Sequence, residues 1–339
     1  MTIDEIARIA GTSTATVSLA LNNRPGVNAE TRQRILAIAD ETGYLAAKKE
    51  AKRNVSQIVK LIAVSKPETS GIHNFRTSFF AEMINSIQSQ CAMLGYSMIY
   101  SIVRHESLFA QLREDESRQP SAGIILLGTY LNDDEVGHLA EMNEKILILD
   151  RNAMLTPVDT VCINNYMGAF RGAEYLIGLG HREIGYIQSA TRVSNLKERR
   201  SGFQAALEVH GIGFAEQAVF SNNSYQSDGA SQLRRRLEDC GHLPTAFFCE
   251  NDYNALCLIS ALHQMEKRVP EDVSVIGFDD VPECSIVVPQ LTTVHVDREE
   301  LARAAVRRIH DMIGEKVQSV SQHIMLDVKL IERSSAAGV

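Results

Sequence analysis

The densest set of residues able to do chemistry lies near the amino terminus. Ser13, Thr14, Thr16 and Ser18 crowd hydroxyls into six positions around Ala15, directly after a Gly11-Thr12 turn. Ser13 has the character of a helix N-cap. The following stretch, Thr14 to Asn22, puts Val17, Ala20 and Leu21 on one helical face, and Thr14, Ala15, Ser18 and, at its edge, Leu19 on the other. Short hydroxyl side chains donate to phosphate oxygens without blocking close approach, and an alanine or threonine methyl can meet a thymine methyl. Catalytic signatures do not accompany them. The chain has no GxxxxGK[ST] loop and no GxSxG elbow, and Gly178-Leu179-Gly180-His181 ends a helix without the third glycine of a dinucleotide loop. The ten histidines never come closer than thirteen positions, and the cysteines at 91, 162, 240, 249, 257 and 284 form no CxxC pair. The expectation is a protein that is not an enzyme, with no catalytic residues, no metal, no cofactor and no disulfide scaffold.

Two further helices must position the hydroxyl-bearing one. Thr2 and Glu5 fit a capping box, opening a stripe of Ile3, Ile6, Ala7 and Ile9–Ala10 that stops at Gly11. Asn28 can cap a third helix with Ile35, Leu36, Ile38 and Ala39 inward, ending at Thr42-Gly43. Two short helices joined by a glycine-containing turn form a helix-turn-helix, whose second helix enters the DNA major groove. Charge agrees with a DNA reader at this end. Residues 1–60 hold nine Lys/Arg against six Asp/Glu, a balance of +3, while the other 279 residues hold 25 against 36, a balance of −11.

From Val59 onward, short β-rich runs alternate with amphipathic helices. Expected strands are Val59–Val64, Ser97–Val103, Ala122–Leu127, Ile146–Asp150, Ile184–Gln188, Ala246–Cys249, Val273–Phe278, Thr292–Val296 and His323–Leu330. Expected helices are Ser78–Leu94, Asp133–Met142, Tyr166–Leu179, Asn195–His210, Ser227–Asp239, Asp252–Lys267 and Asp297–Ile313. Such alternation predicts an α/β body with parallel sheets covered by helices. Roughly 280 residues exceed one comfortable core, so two lobes are expected, with the break near 150–160 and ligands bound at the carboxyl ends of strands. With 339 residues, 45% hydrophobic and 22% charged, no apolar run of membrane length and no signal-like start, the chain reads as cytoplasmic and not membrane-bound.

These residues carry a resemblance. Thr2-Ile3-Asp4-Glu5-Ile6-Ala7, Ala10-Gly11, Ser13, Thr16-Val17-Ser18, Leu21-Asn22, Thr31-Arg32 and Gly43-Tyr44 resemble the DNA-binding head of the LacI family of bacterial transcription regulators. The body is similar to the same family, and in fold to periplasmic sugar-binding proteins, through Leu149-Asp150-Arg151, Leu179-Gly180-His181-Arg182, Arg199 with Gly202-Phe203, Asn251-Asp252 and Val275-Ile276-Gly277-Phe278-Asp279-Asp280. The resemblance implies that Thr14, Ala15 and Leu19 face bases, and that Ser13, Thr16, Ser18, Asn22, Asn28 and Thr31 hold phosphates or the fold. It implies a two-lobed, periplasmic-binding-protein-like body after an all-α head. In that body Asp150, Arg199, Asn251 and Asp279 line an effector cleft, with Phe79 near its rim. Carboxylates, an amide and a guanidinium fork suit vicinal hydroxyls.

The implied arrangement is a helix-turn-helix domain over 1–45, a hinge over 46–58, an effector and dimerisation domain over 59–333 crossed more than once between lobes, and a tail over 334–339. The implied function is a repressor that dimerises on a pseudo-palindromic double-stranded operator under control of a small-molecule effector, a sugar. A sugar-binding module without DNA output, or a purine or sugar-phosphate effector, are the alternatives. Three departures stand out. Leu19 replaces the arginine usual in the family, removing a bidentate pairing to guanine. In the hinge, Ala46-Ala47 replaces Pro-Asn, and Asn54 falls where the family's wedging leucine would be, with Val55 the apolar neighbour. An aromatic expected five residues before a helix glycine is Ser224, with Tyr225 beside it. The stretch from Ala46 to Arg53 is basic, so Lys52 and Arg53 are expected on phosphates, a solvated tether being the other reading. Arg53→Ala should therefore lower operator affinity and flatten the log–log salt dependence by about one contact's worth; an unchanged slope in a salt titration means the linker does not touch phosphate.

Overall fold

Helix spacing of small apolar residues builds the first unit around a core of Ile6, Ala7, Ala10, Val17, Ala20, Ile35 and Ala39, ringed by Ile3, Leu21, Val27, Ile38 and Tyr44. The computed structural model describes residues 2–21, 25–44, 57–66, 77–142, 145–314 and 320–339. The contacts divide the chain into residues 1–58 with 119–122, and 59–118 with 123–339. In the first unit, α1 (Ile3–Ala10) begins with the expected capping box between Thr2 and Glu5 and ends at Gly11, whose φ of 61° needs a residue without Cβ. Next come α2 (Thr14–Leu21) and α3 (Ala29–Glu41). Ile9 and Leu36, expected inward, are 52% and 36% exposed. The seven small and branched residues above already fill so narrow a bundle, leaving no room for a wider apolar stripe.

The larger unit contains two six-stranded sheets. The first is built from β1 (Ile58–Ser65), β2 (Ser97–Arg104), β3 (Gly123–Leu127), β4 (Ile146–Leu149), β5 (Asp159–Ile163) and β11 (His323–Leu326), in the order β11-β5-β4-β3-β1-β2. The second holds β6 (Ile184–Ser189), β7 (Val219–Asn222), β8 (Ala246–Cys249), β9 (Ser274–Asp279), β10 (Thr292–His295) and β12 (Lys329–Ile331), in the order β12-β10-β9-β8-β6-β7. The ladders β1-β3-β4-β5-β11 and β7-β6-β8-β9-β10 are parallel, and β12 closes the second sheet antiparallel to β10. Central strands such as Gly123–Leu127 and Ala246–Cys249 are buried throughout, as strands covered on both faces must be. The covering helices of the first lobe are α4 (Ser78–Met93), α5 (Leu108–Arg118), α6 (Asp133–Glu141) and α11 (Arg298–Gly314). Those of the second are α7 (Asn165–Gly178), α8 (Ser194–Val209), α9 (Gly229–Glu238) and α10 (Asp252–Gln264). Among the described residues, no helix is long and apolar enough to cross a membrane.

Four departures from expectation have simple causes. Helix α5 is charged along most of LFAQLREDESR and buries only Leu108 and Leu112, so its periodicity is faint. Strands β5 and β7 are five and four residues long, and β7 is a half-buried edge. Because β5 still belongs to the first sheet, the chain leaves that lobe after Ile163 rather than near 150–160. The run His323–Leu330 is not one strand: β11 joins the first sheet and β12 the second, with Asp327-Val328 crossing between them. The segment 334–339 is no loose tail either. Ser335 is fully buried, its hydroxyl accepting from Thr292 N at 2.8 Å and donating to Val275 O at 2.6 Å, and Ala337 O is bonded by His181 Nε2 at 3.0 Å.

Helices α7 and α8 pack so closely that a Cβ on Gly202 would stand 2.0 Å from Tyr166 O. Backbone cannot yield as a side chain can, so Gly202→Ala should cost about 3 kcal/mol or more in denaturant unfolding. Gly178→Ala, at the end of α7 with open space around it, should be neutral or stabilising by about 1 kcal/mol. Equal effects would mean the helices do not pack this closely.

Candidate functional site

The carboxyl ends of strands in both lobes converge on one cleft. It encloses a cavity of about 100 Å³ whose lining includes Phe79, Asp150, Arg199, Asn251 and Asp279. Residues scattered over two hundred positions are thus brought together by the parallel sheets. Asp150 directly follows β4 and Asp279 ends β9, with φ angles of 62° and 115°. For a non-glycine residue such backbone is uncommon and costs energy, and it clusters at binding sites.

Arg199 projects from α8 with 5% exposure. Its Nε donates to Asn165 Oδ1 at 2.9 Å and its Nη1 to Glu250 O at 2.6 Å, while its guanidinium lies 3.6 Å from the centre of the Phe278 ring. Nη2 stands 3.0 Å from Asp279 Oδ1 as an ion pair. Asp150 accepts from Thr129 Oγ1 at 2.8 Å, and Asn195 Nδ2 reaches both its carbonyl and its Oδ1 at 3.0 Å. Asn195 Oδ1 is buried without a protein partner. Asn251 caps α10, its Oδ1 accepting from Asn254 N at 2.9 Å and its Nδ2 donating to Ser189 Oγ at 3.3 Å. Phe79 is buried in α4, edge-on to Phe80 at 5.3 Å.

Sequence reasoning missed Thr129, Tyr130, Ser189, Asn195, Asn222 and Tyr253, all of which line the cavity. Asn195 had a legible signal, standing one turn before Arg199 on the same helix face; the others sit on loops or strand ends whose partners are distant in sequence. Tyr225 lines the cavity despite its one-residue offset, its ring 5.8 Å from that of Tyr253. The displaced aromatic thus still supplies an apolar face.

Bonds also tie lobe to lobe. Ser78, at the start of α4, donates from its backbone N to Tyr253 Oη at 3.2 Å and from its hydroxyl to Glu283 Oε1 at 2.7 Å. Arg151 Nη1 donates to Ser194 Oγ at 3.0 Å. Arg298, at the head of α11, joins Glu82 at 2.6 Å to the carbonyl of Asp279 at 2.8 Å.

In the smaller unit, Ser13 Oγ accepts from Thr16 N at 3.2 Å and pairs with Thr16 Oγ1 at 2.9 Å, fixing the start of α2. Thr14, Ala15 and Ser18 are exposed, Thr16 and Leu19 half-buried, and the first turn carries no acidic residue to repel a phosphate. Asn28 caps α3, its Oδ1 accepting from Thr31 N at 2.7 Å. Asn22, Lys52, Arg53, Asn54 and Val55 lie outside the described residues.

Burial raises the Asp150 carboxyl to about 6 against hydrogen bonds and the Arg199 charge, which lower it, and raises Asp279 as well. The folded protein therefore holds the Asp150 proton more tightly than the unfolded chain. That stability is fully present below about pH 4, near the unfolded carboxyl value. It is lost as pH rises through 6. Asp150→Asn should remove about 3 kcal/mol of this fall between pH 4 and 7.5, read by urea unfolding at both pH values. Parallel pH profiles for variant and parent would mean the carboxyl is not desolvated.

Residues 2–46 match the family model for bacterial regulatory proteins, lacI family, and residues 173–336 that for a periplasmic binding protein-like domain. The HTH-type transcriptional repressor PurR of Klebsiella pneumoniae (strain 342) is 30% identical over 348 residues, covering 99% of this chain and 97% of the relative. That of Mannheimia succiniciproducens is 28% identical over 98% of both chains. Among solved structures, the transcriptional regulator CelR–cellobiose complex and the lac repressor dimer bound to operator and the anti-inducer ONPF each superpose with a TM-score of 0.72. Both are 24% identical and cover 99% of both chains, so the likeness is one of fold.

Proposed function

The chain belongs to the lacI family of bacterial regulatory proteins and is a DNA-binding transcriptional repressor, and from that premise we propose that a sugar ring bound in the cleft sets its operator affinity. The observation that carries this reading is the convergence in one cavity of the Asp150 and Asp279 carboxyls, the Asn195 and Asn251 amides and the Arg199 fork. Sugar hydroxyls are donors able to satisfy such oxygens, and they accept from a guanidinium in turn. The rings of Phe79, Tyr225 and Tyr253 offer apolar faces to the C–H side of a pyranose or furanose. The Tyr225–Tyr253 pair also favours a second reading, a purine stacked on those rings.

On this reading Asp150, Asn251 and Asp279 accept from the ligand, Arg199 donates to it and Phe79 bounds the rim. In the head, Thr14, Ala15 and Leu19 face bases. Ser13, Thr16, Ser18, Asn22, Asn28 and Thr31 hold phosphates or the helices that reach them, and Lys52, Arg53, Asn54 and Val55 follow the DNA from the linker. Two bodies pair as a homodimer in the cytoplasm and set two heads on half-sites of a pseudo-palindrome about one helical turn, roughly 34–36 Å, apart. The bonds from Asp150, Arg151 and Ser78 to the opposite lobe describe a closed cleft. A ligand preferring that closed arrangement trades its affinity against operator affinity by linkage.

The test is selection of duplexes from a random pool by the full-length protein at low salt, repeated with neutral monosaccharides and with purine bases. An enriched pseudo-palindrome whose binding changes with a sugar supports the reading. A response to purines alone favours the second, and enrichment indifferent to both classes overturns ligand control. Asp279→Asn should weaken the ligand response by about tenfold or more with ligand-free DNA affinity unchanged. Loss of DNA binding in that variant would remove Asp279 from the cleft's function.

A further inference from the structure

Helix α2, Thr14-Ala15-Thr16-Val17-Ser18-Leu19-Ala20-Leu21, contains no charged and no amide side chain. Hydrogen bonding separates base pairs best through side chains that make two bonds to one base edge, arginine or lysine to guanine and asparagine or glutamine to adenine. This helix carries none of them. Val17 and Ala20 are buried in the core of the head and Leu21 packs against it. The outward surface is left to Thr14, Ala15 and Ser18, which are exposed, and to Thr16 and Leu19, which are half-buried. Thr16 is engaged locally, its hydroxyl paired with Ser13 Oγ at 2.9 Å and its N–H donating to the same oxygen at 3.2 Å. A single hydroxyl, such as that of Thr14 or Ser18, donates or accepts as the base edge requires and so separates bases poorly. The rest of this surface is carbon: the Thr14 γ-methyl, the Ala15 β-methyl and the δ-methyls of Leu19. Leu19 is also backed by the loop that follows the helix, where a Cβ on Gly26 would stand 3.7 Å from Leu19 Cδ1. A side chain supported in this way loses little freedom on binding.

We infer that the head identifies its operator through thymine C5-methyl groups, which meet the methyls of Thr14, Ala15 and Leu19, and not through guanine. Of the ordinary bases only thymine presents a methyl group in the major groove, so an apolar surface brought there buries favourable contact against thymine alone. This rests on the proposed placement of those residues against bases and adds which base they select.

The test starts from the duplex that the full-length protein selects at low salt, with or without monosaccharides or purine bases present. Replacing its thymines singly by 2′-deoxyuridine removes the methyl and leaves every hydrogen-bonding group, and the protein itself, unaltered. Fluorescence anisotropy should show a loss of about fourfold at each thymine that α2 covers. At one of these positions Leu19→Ala should bind the thymine and deoxyuridine duplexes equally. Leu19→Arg should shift the base selected there to guanine, through bidentate pairing. The deoxyuridine series on the unaltered protein decides the question even if a Leu19 variant fails to fold. Deoxyuridine tolerated at every thymine overturns the inference, and if Leu19→Arg still draws guanine into the selected sequence, the placement of α2 against bases survives. Penalties that Leu19→Ala leaves in place at every position give the methyl reading to another element and overturn the inference as well. Tolerance of deoxyuridine with a selected sequence unchanged by Leu19→Arg overturns both the inference and the placement, as does a protein that selects no sequence.

Discussion

One buried cation organises the ligand-binding body. Arg199 cannot leave its charge unmatched in a low-dielectric interior, and each partner it takes is fixed to a different element: Asn165 opens α7, Glu250 follows β8, Asp279 ends β9. Phe278 lies flat beneath it, so even the ring order along β9 serves the same group. Neighbouring residues fall into place as a consequence. Asp252, next to the Glu250–Asn251 corner, turns inward to accept from Thr293 Oγ1 and Val281 N, and is raised to about 7 by burial and the nearby Asp279. A Cβ on Gly277 would stand 2.1 Å from its Oδ1, so only glycine leaves room for that carboxylate. Asp280, one residue further, holds Arg333 and His295.

Burial raises the proton affinity of three carboxyls at or near the cleft, Asp150, Asp252 and Asp279, and the Arg199 charge opposes this at Asp150 and Asp279. Hydroxyl donors on a ligand would match those carboxyls, as the proposed sugar reading requires.

The lobes are joined where the chain crosses between sheets, and the crossings sit together. Asn164 N donates to Leu326 O at 2.8 Å, and Arg171 from α7 holds Asp327 and the carbonyl of Val328. Small backbone changes at such a junction can turn one lobe against the other while each sheet stays intact. The bonds facing the cleft, from Ser78 to Tyr253 and Glu283 and from Asp150 to Asn195, are few and polar. They can be exchanged for ligand or water at modest cost, which suits an equilibrium that a small molecule must bias.

Local chemistry made much of this legible in the chain itself. The Thr2–Glu5 box, the Ser13 and Asn28 caps and the Gly11 terminus are interactions over three or four residues, and all are present. The alternating α/β pattern follows from apolar runs that only doubly covered parallel strands can bury. Resemblance then pointed to Asp150, Arg199, Asn251, Asp279 and Phe79, which line one cavity. What local pattern could not carry were decisions made between distant segments. That β5 belongs to the first sheet, and that 323–330 divides between two sheets, depends on which edge each short strand meets. The anchored chain end at Ser335 and Ala337, and the cavity residues Asn195 and Tyr253, are set by neighbours more than forty positions away, and Thr129 by one 21 positions away. Short-range caps and periodicity are determined by sequence because their partners are sequence neighbours. Sheet membership and the cross-lobe bonds were decided by the tertiary structure, because a hydrogen bond or a buried charge takes whichever partner folding brings within about 3 Å.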